Sequence, residues 1–262
     1  MSADLVFGPP GDEWRYEKST RTYDLTRGRS PALTLGTTQG PTETFISVAP
    51  HSTALVIVDM QNYFLHPSCR DHPAGLAAVE KTKNVVEKCR ELGVQVIWLN
   101  WGLTNEDLVE MPASVQRGFS RSLIHGAVAN DKIVRLGLGA ELGNGMGRCL
   151  VKGSWNADIY EPLKQLARTG DVHCDKNRMS GMWSPGQSLR EHLEREPGIG
   201  EGKKRTLLFA GVNTDQCVLS TLTDAYNGGW DCVMLEDCCA TTTPGAPGVC
   251  LYNIAVSQSV YL

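Results

Sequence analysis

The chain has 262 residues, enough for one large domain or two small ones, and its 41% hydrophobic and 21% charged residues suit an ordinary globular core. A net charge of −4 argues against nucleic acid or an anionic membrane surface as a partner. No apolar run nears the roughly 18 residues needed to span a bilayer, and the first residues lack the basic start and apolar core of a secretory signal, so a cytoplasmic protein is expected. The nine cysteines are an odd number with no CxxC and no zinc-type Cys/His spacing, which reads as mostly buried free thiols in a reducing compartment.

Residues 1–52 are rich in Gly, Pro, Ser and Thr, with only short β-like pieces such as 21–25. They form an irregular N-terminal extension, which either drapes over the core or a neighbouring subunit or is a disordered tail. Residues 53–262 make the second unit. It opens with Thr53-Ala54-Leu55-Val56-Ile57-Val58, a continuous apolar run of the kind found in strands buried on both faces of a parallel sheet, closed by Asp59. Residues 76–92 have helical periodicity and stop at Gly93. Residues 94–99 are a second strand, 112–125 contain a helix, and a glycine-rich loop follows to about 150. Residues 159–167 read as a short helix or turn, 171–175 as a strand and 187–195 as a helix. A strand at 205–210, a helix at 215–227, a strand at 232–235 and a helix at 248–258 complete the chain. Strands alternating with helices predict an α/β fold: three layers, with a mostly parallel sheet flanked by helices. The first strand is followed by Asp59-Met60-Gln61-Asn62-Tyr63-Phe64 rather than a glycine-rich phosphate fingerprint, so a dinucleotide cofactor is not expected.

In such sheets ligands sit at the carboxyl ends of the strands. Asp59 closes the first strand, Lys176 follows the strand at 171–175, and Cys217 opens the helix after 205–210. A cysteine at a helix start is favoured as thiolate by the helix dipole, a lysine would lower its pKa further, and a carboxylate can take and return its proton. Spacing alone does not separate this trio from a core cysteine and a capping aspartate.

Three segments, in order, resemble the isochorismatase-like cysteine hydrolases over residues 53–260. Asp59-Met60-Gln61-Asn62-Tyr63-Phe64 is similar to the family's D-x-Q-x-x-F. Lys176-Asn177-Arg178-Met179-Ser180-Gly181 is similar to its K-x-R-x-S-[AG], and Gly211-Val212-Asn213-Thr214-Asp215-Gln216-Cys217-Val218 to its G-x-x-T-x-x-C-V. The resemblance, closest in kind to ureidoacrylate and N-carbamoylsarcosine amidase-type members, implies hydrolysis of a small amide or ureide through a thioester. It implies an Asp59–Lys176–Cys217 triad. It also implies a cis Val212–Asn213 peptide that helps direct backbone N–H groups, with that of Cys217, at the oxyanion. Lys152 is the rival lysine but lacks the sequel that Arg178 and Ser180 give Lys176. The stretch from Lys176 to Cys217 is somewhat long for the family, and residues 196–204 are read as the surplus loop.

Metal-binding nicotinamidases of the family carry Asp-x-His after the second strand, where this chain reads Leu99-Asn100-Trp101-Gly102; no metal and no cofactor are therefore expected. His66 and His72 are read as exposed loop residues. Substrate contacts are assigned to Phe64, Asn100, Trp101, Trp155, Arg178 and Trp183, each with core packing or a surface ion pair as its alternative. The competing functions are an isochorismatase-type vinyl ether hydrolase, which the cysteine argues against, and a non-catalytic binding protein on the same fold, which a complete triad argues against. Resemblance and extension together imply a homodimer or homotetramer, with Trp14, Tyr16 and Tyr23 packing across the contact.

Overall fold

The computed structural model describes residues 4–38, 44–126, 132–133, 136–195, 203–255 and 260–261. The amino-terminal stretch is regular rather than irregular: β1 (Leu5–Phe7), β2 (Trp14–Glu17), β3 (Thr22–Asp24), β4 (Leu33–Thr37) and β5 (Thr44–Val48) form a separate mixed sheet in the order β1-β2-β3-β5-β4. Strands of three to five residues give too few alternations to be seen as a period. Trp14, Tyr16 and Tyr23 pack on one another within the chain, and Trp14 and Tyr23 lie against the core; a contact across subunits is not needed to explain them.

The second sheet is wholly parallel, ordered β11-β10-β9-β6-β7-β8. Its strands are β6 (Thr53–Val58), β7 (Gln95–Trp101), β8 (Val172–Lys176), β9 (Thr206–Val212), β10 (Asp231–Ala240) and β11 (Val260–Tyr261). Every residue of β6 and β9 is buried, as their unbroken apolar runs require. The chain order of the helices is α1 (Asn62–Leu65), α2 (Pro73–Leu92), α3 (Asn105–Val109), α4 (Ala113–Phe119), α5 (Arg121–His125), α6 (Glu161–Lys164), α7 (Ser188–Glu194), α8 (Leu219–Asn227) and α9 (Ala246–Asn253). They flank the sheet, with α2 packed on β7, β9 and β10, α7 on β8 and α8 on β10. The last helix is α-helical over Ala246–Asn253 and continues as helix through Ala255; 256–258 of its sequence pattern lie outside the described residues, as do 196–202 of the loop assigned to the surplus. β11 was not legible in the sequence.

α2 shows how local chemistry fixes an element. Its buried residues Gly75, Ala78, Val79, Thr82, Val86 and Cys89 recur at helical spacing. Gly93 ends it in the left-handed conformation at φ 79°, where its N–H bonds to Arg90 O and that of Val94 to Cys89 O. No helix among the described residues is long and apolar enough to cross a membrane.

Candidate active site

The parallel order puts the ends of β6, β7, β8 and β9 side by side, and three titratable side chains meet there. Asp59 follows β6 with a positive φ of 52°, Lys176 ends β8, and Cys217 lies in a single π-type turn, Thr214–Val218, between β9 and α8. Gly211 makes this approach possible. It has φ 129°, and a Cβ there would fall 2.0 Å from Val58 O, so only glycine lets β9 run this close to the end of β6. The Val212–Asn213 peptide is cis.

Lys176 Nζ lies 2.9 Å from Asp59 Oδ2, and neither side chain is exposed. The ammonium also donates to Arg178 O at 3.1 Å and sits 4.1 Å from the centre of the Trp101 ring. Asp59 Oδ1 accepts from the Trp101 N–H at 3.2 Å. Cys217, 6% exposed, sits beside this group: Asp59, Lys176 and the Trp101 side chain all act on its thiol, while Asp59 Oδ2 and Trp101 Nε1 make no hydrogen bond among the described residues. Thr221 ties two of these segments together: its hydroxyl donates to Cys217 O at 2.7 Å and accepts from Gly181 N–H at 3.2 Å.

Burial pushes the Cys217 thiol up to about 12; Asp59 adds to the rise and Lys176 opposes it. The lowered thiol pKa expected from a helix start and a lysine is therefore not what the resting site has: desolvation and the neighbouring carboxylate outweigh the cation. Burial also raises Asp59, against the pull of Lys176. Thiol acidity does not single Cys217 out, since burial takes Cys89 to about 12 as well. All nine cysteines are free thiols, and what distinguishes Cys217 is the ion pair beside it.

Other sequence-selected residues divide. Trp101 is buried over Lys176 and packs edge-on to Phe119 at 5.1 Å, while Phe64 is buried against Tyr63 at 5.0 Å. Arg178 stacks on the exposed Trp183 at 5.0 Å and donates to Asn177 O at 2.7 Å. Asn100 and Trp155 line two other depressions, the first with Lys152, Asp158, Lys164 and Asp175, the second with His66, Asn144 and Met146. Lys152 is exposed and pairs with Asp175 at 2.5 Å, so Lys176 is the lysine beside Asp59.

Two residues stand where the sequence reading did not put them. His72 is fully buried, not an exposed loop residue, because its ring caps α2 and reaches Asn213. His66 is half-buried against Trp155 and Tyr160. Gln61, passed over although it lies in the first motif, clamps Trp101: Oε1 accepts from its N–H at 3.0 Å and Nε2 donates to its O at 2.8 Å. Its place two residues after Asp59 was the available signal. Among the described residues no three His, Cys, Asp or Glu side chains are grouped as metal ligands would be.

A model of the isochorismatase domain matches residues 53–247. Ureidoacrylate amidohydrolase RutB of Azorhizobium caulinodans is 32% identical over 219 residues, 80% of this chain and 86% of that protein; RutB of Acinetobacter baylyi is 30% identical over 206 residues, 76% and 75%. A cysteine hydrolase structure from Pseudomonas syringae pv. phaseolicola has TM-score 0.59 and 19% identity, covering 82% of this chain and 89% of its own. N-carbamoylsarcosine amidase from Thermoplasma acidophilum has TM-score 0.55 and 21% identity, covering 80% and 95%; both structures speak to fold alone. The chain belongs to the isochorismatase-like hydrolase family.

Proposed function

We propose that the chain hydrolyses a small amide or ureide through a thioester on Cys217. It is an enzyme acting on carbon–nitrogen bonds other than peptide bonds, as its ureidoacrylate amidohydrolase relatives are named to be. The observation that carries the mechanism is one buried cluster in which a thiol, a carboxylate and an ammonium meet.

At rest the thiol keeps its proton and the ionised Asp59 pairs with Lys176. When a carbonyl carbon reaches the sulfur, Asp59 takes the thiol proton, the C–S bond forms and negative charge moves to the carbonyl oxygen. Backbone N–H groups of the turn at Val212, Asn213 and Cys217 receive that oxyanion. As the C–N bond breaks, Asp59 returns the proton to the leaving nitrogen, releasing ammonia or an amine. Water, deprotonated by Asp59, then attacks the thioester; the acid leaves and the proton returns to sulfur. Lys176 offsets the charge on Asp59 and sulfur throughout, and the Trp101 ring shields it from water. Trp101, Phe64, Arg178 and Trp183 are the proposed substrate contacts on this side of the sheet. Asn100 and Trp155 line separate depressions. The active form is a homodimer or homotetramer, consistent with the exposed Met179, Trp183 and Tyr226.

A panel of amides and ureides, with isochorismate included, tests the reading. One ureide or amide should turn over, and mass spectrometry should find a covalent adduct on Cys217. Turnover by Cys217→Ala would overturn it.

A further inference from the structure

His72 directly precedes α2, and both nitrogens of its buried ring are engaged. Nδ1 accepts from Gly75 N–H at 2.9 Å, capping the helix. Nε2 lies 2.9 Å from Asn213 Oδ1. Since Nδ1 is an acceptor, a neutral ring carries its proton on Nε2, and that N–H donates to the Asn213 carboxamide. Burial is the main influence keeping the ring neutral; among nearby charges Arg70 works with it and Asp71 against it. The socket is shaped for this: a Cβ on Gly75 would lie 2.8 Å from His72 Nδ1 and 2.6 Å from Leu65, so glycine at this position lets its N–H approach the ring.

Asn213 begins the turn that holds Cys217. Its carbonyl accepts from Gln216 N–H at 3.0 Å and Val218 N–H at 3.3 Å, and at 3% exposure its carboxamide has little water to replace a lost partner. We infer that His72 is a positioning residue for Cys217: its Nε2–H fixes the Asn213 carboxamide, and through it the turn that presents the thiol to Asp59 and Lys176. This rests on Cys217 being the nucleophile.

The two ring nitrogens can be tested separately. His72→Asn keeps an acceptor near the Nδ1 position and remains a good helix cap, but cannot span to Asn213. His72→Gln reaches the Nε2 position and can donate to Asn213, but gives up the cap. His72→Asn should lower Tm by roughly 2–6 °C, as one unpaired buried carboxamide costs, while kcat falls about tenfold or more with KM little changed. Alkylation of Cys217 by iodoacetamide, read on its own peptide, should slow in parallel. His72→Gln should lower Tm by roughly 2–6 °C and keep kcat within about threefold. Asn213→Ala also gives up a 3.5 Å bond from Nδ2 to Gln216 Oε1, so adding it to His72→Asn should cost less than it does in the wild type, because the two changes share the His72 contact. Wild-type kcat and alkylation in a folded His72→Asn protein would overturn the role, as would additive losses in the double variant. Activity in Cys217→Ala would instead remove the reading beneath it.

Discussion

Both ends of the parallel sheet bury an ion pair, and they differ in how completely its atoms are bonded. At the amino end Arg27 and Asp231, 6% and 4% exposed, join the small sheet to the first residue of β10. Asp231 Oδ1 accepts from Trp14 Nε1 and Arg27 Nη2, both at 2.8 Å, and Oδ2 from Arg27 Nη1 at 2.6 Å and Thr206 at 3.1 Å. Arg27 Nε turns to Asp12, which also takes Arg205. At the carboxyl end Asp59 has one 3.2 Å bond from a backbone N–H, its partner Lys176 and a thiol that holds a proton. A carboxylate whose lone pairs are all taken can only hold structure, whereas one left with spare capacity beside a proton donor can do chemistry.

The largest effects should separate the ends by kind. Asp59→Asn and Lys176→Ala should each cut kcat/KM by about 10²–10⁴-fold, measured where the variant is folded, since this pair is fully buried and its loss also lowers stability. Removing one partner of a buried pair typically costs about 3–5 kcal/mol, so Arg27→Ala should lower the unfolding free energy from urea titration by that order and leave kcat within about twofold where it is folded. A large kcat loss in folded Arg27→Ala would break the division.

Gly211→Ala should disturb both properties, because β9 links the ends. Its methyl would meet Val58 O, and the backbone stands at φ 129°. A loss of about 3 kcal/mol or more is expected by chemical denaturation, with Cys217 displaced and activity falling further than stability. Full activity would mean that the close approach of β9 to β6 does not set the thiol's position.

Acid sharpens the comparison through opposite signs. Burial by itself would raise the Asp12 pKa, but the hydrogen bonds and charges of Arg27 and Arg205 together outweigh it and hold Asp12 below its ordinary pKa. Its stabilising contribution is present above the unfolded-state pKa and lost as pH falls through the lower folded one. Burial raises Asp59, so as a base it is lost sooner, and rate should fall with pH before the Asp12 contact weakens. The measurements are kcat/KM and urea midpoint from about pH 7 down to about pH 2.5; Asp12→Asn should flatten only the second at its acid end. A stability loss preceding the rate loss would reverse the assignment.

The carboxyl end was far more legible in the sequence than the amino end. Asp59 and Cys217 sit in motifs that follow long apolar runs, where strand period, burial and chemistry point the same way, and Lys176 ends a short, mostly polar strand that only its motif marks. Arg27 and Asp231 are 204 positions apart in a buried contact that no local pattern announces. His72 was misplaced for the same reason: its partner Asn213 is 141 positions away, and a histidine between an aspartate and a proline looks solvated until the fold closes over it. Asn100 shows the converse limit. Both it and Trp101 line the depression that holds Lys152 and Asp175, but only Trp101 also lies over Lys176.

The smallest expected effect belongs to a third ion pair, Lys152–Asp175, which controls for the other two. Lys152 and Asp175 approach to 2.5 Å, closer than Lys176 and Asp59, yet their side chains are 67% and 40% exposed. Distance alone would rank this pair first. In water the attraction is screened, and holding a long side chain still offsets much of what remains, so an exposed pair contributes about 0–1 kcal/mol. Asp175 aligns with Asn100 across β7 and β8, one position before the Trp101–Lys176 pair, and its side chain takes the other face. Lys152→Ala should therefore change kcat/KM by less than about twofold and leave Tm within about 2 °C, where Lys176→Ala loses orders of magnitude. A Lys152→Ala enzyme as impaired as Lys176→Ala would mean that burial is not what gives the carboxyl-end ion pair its chemistry.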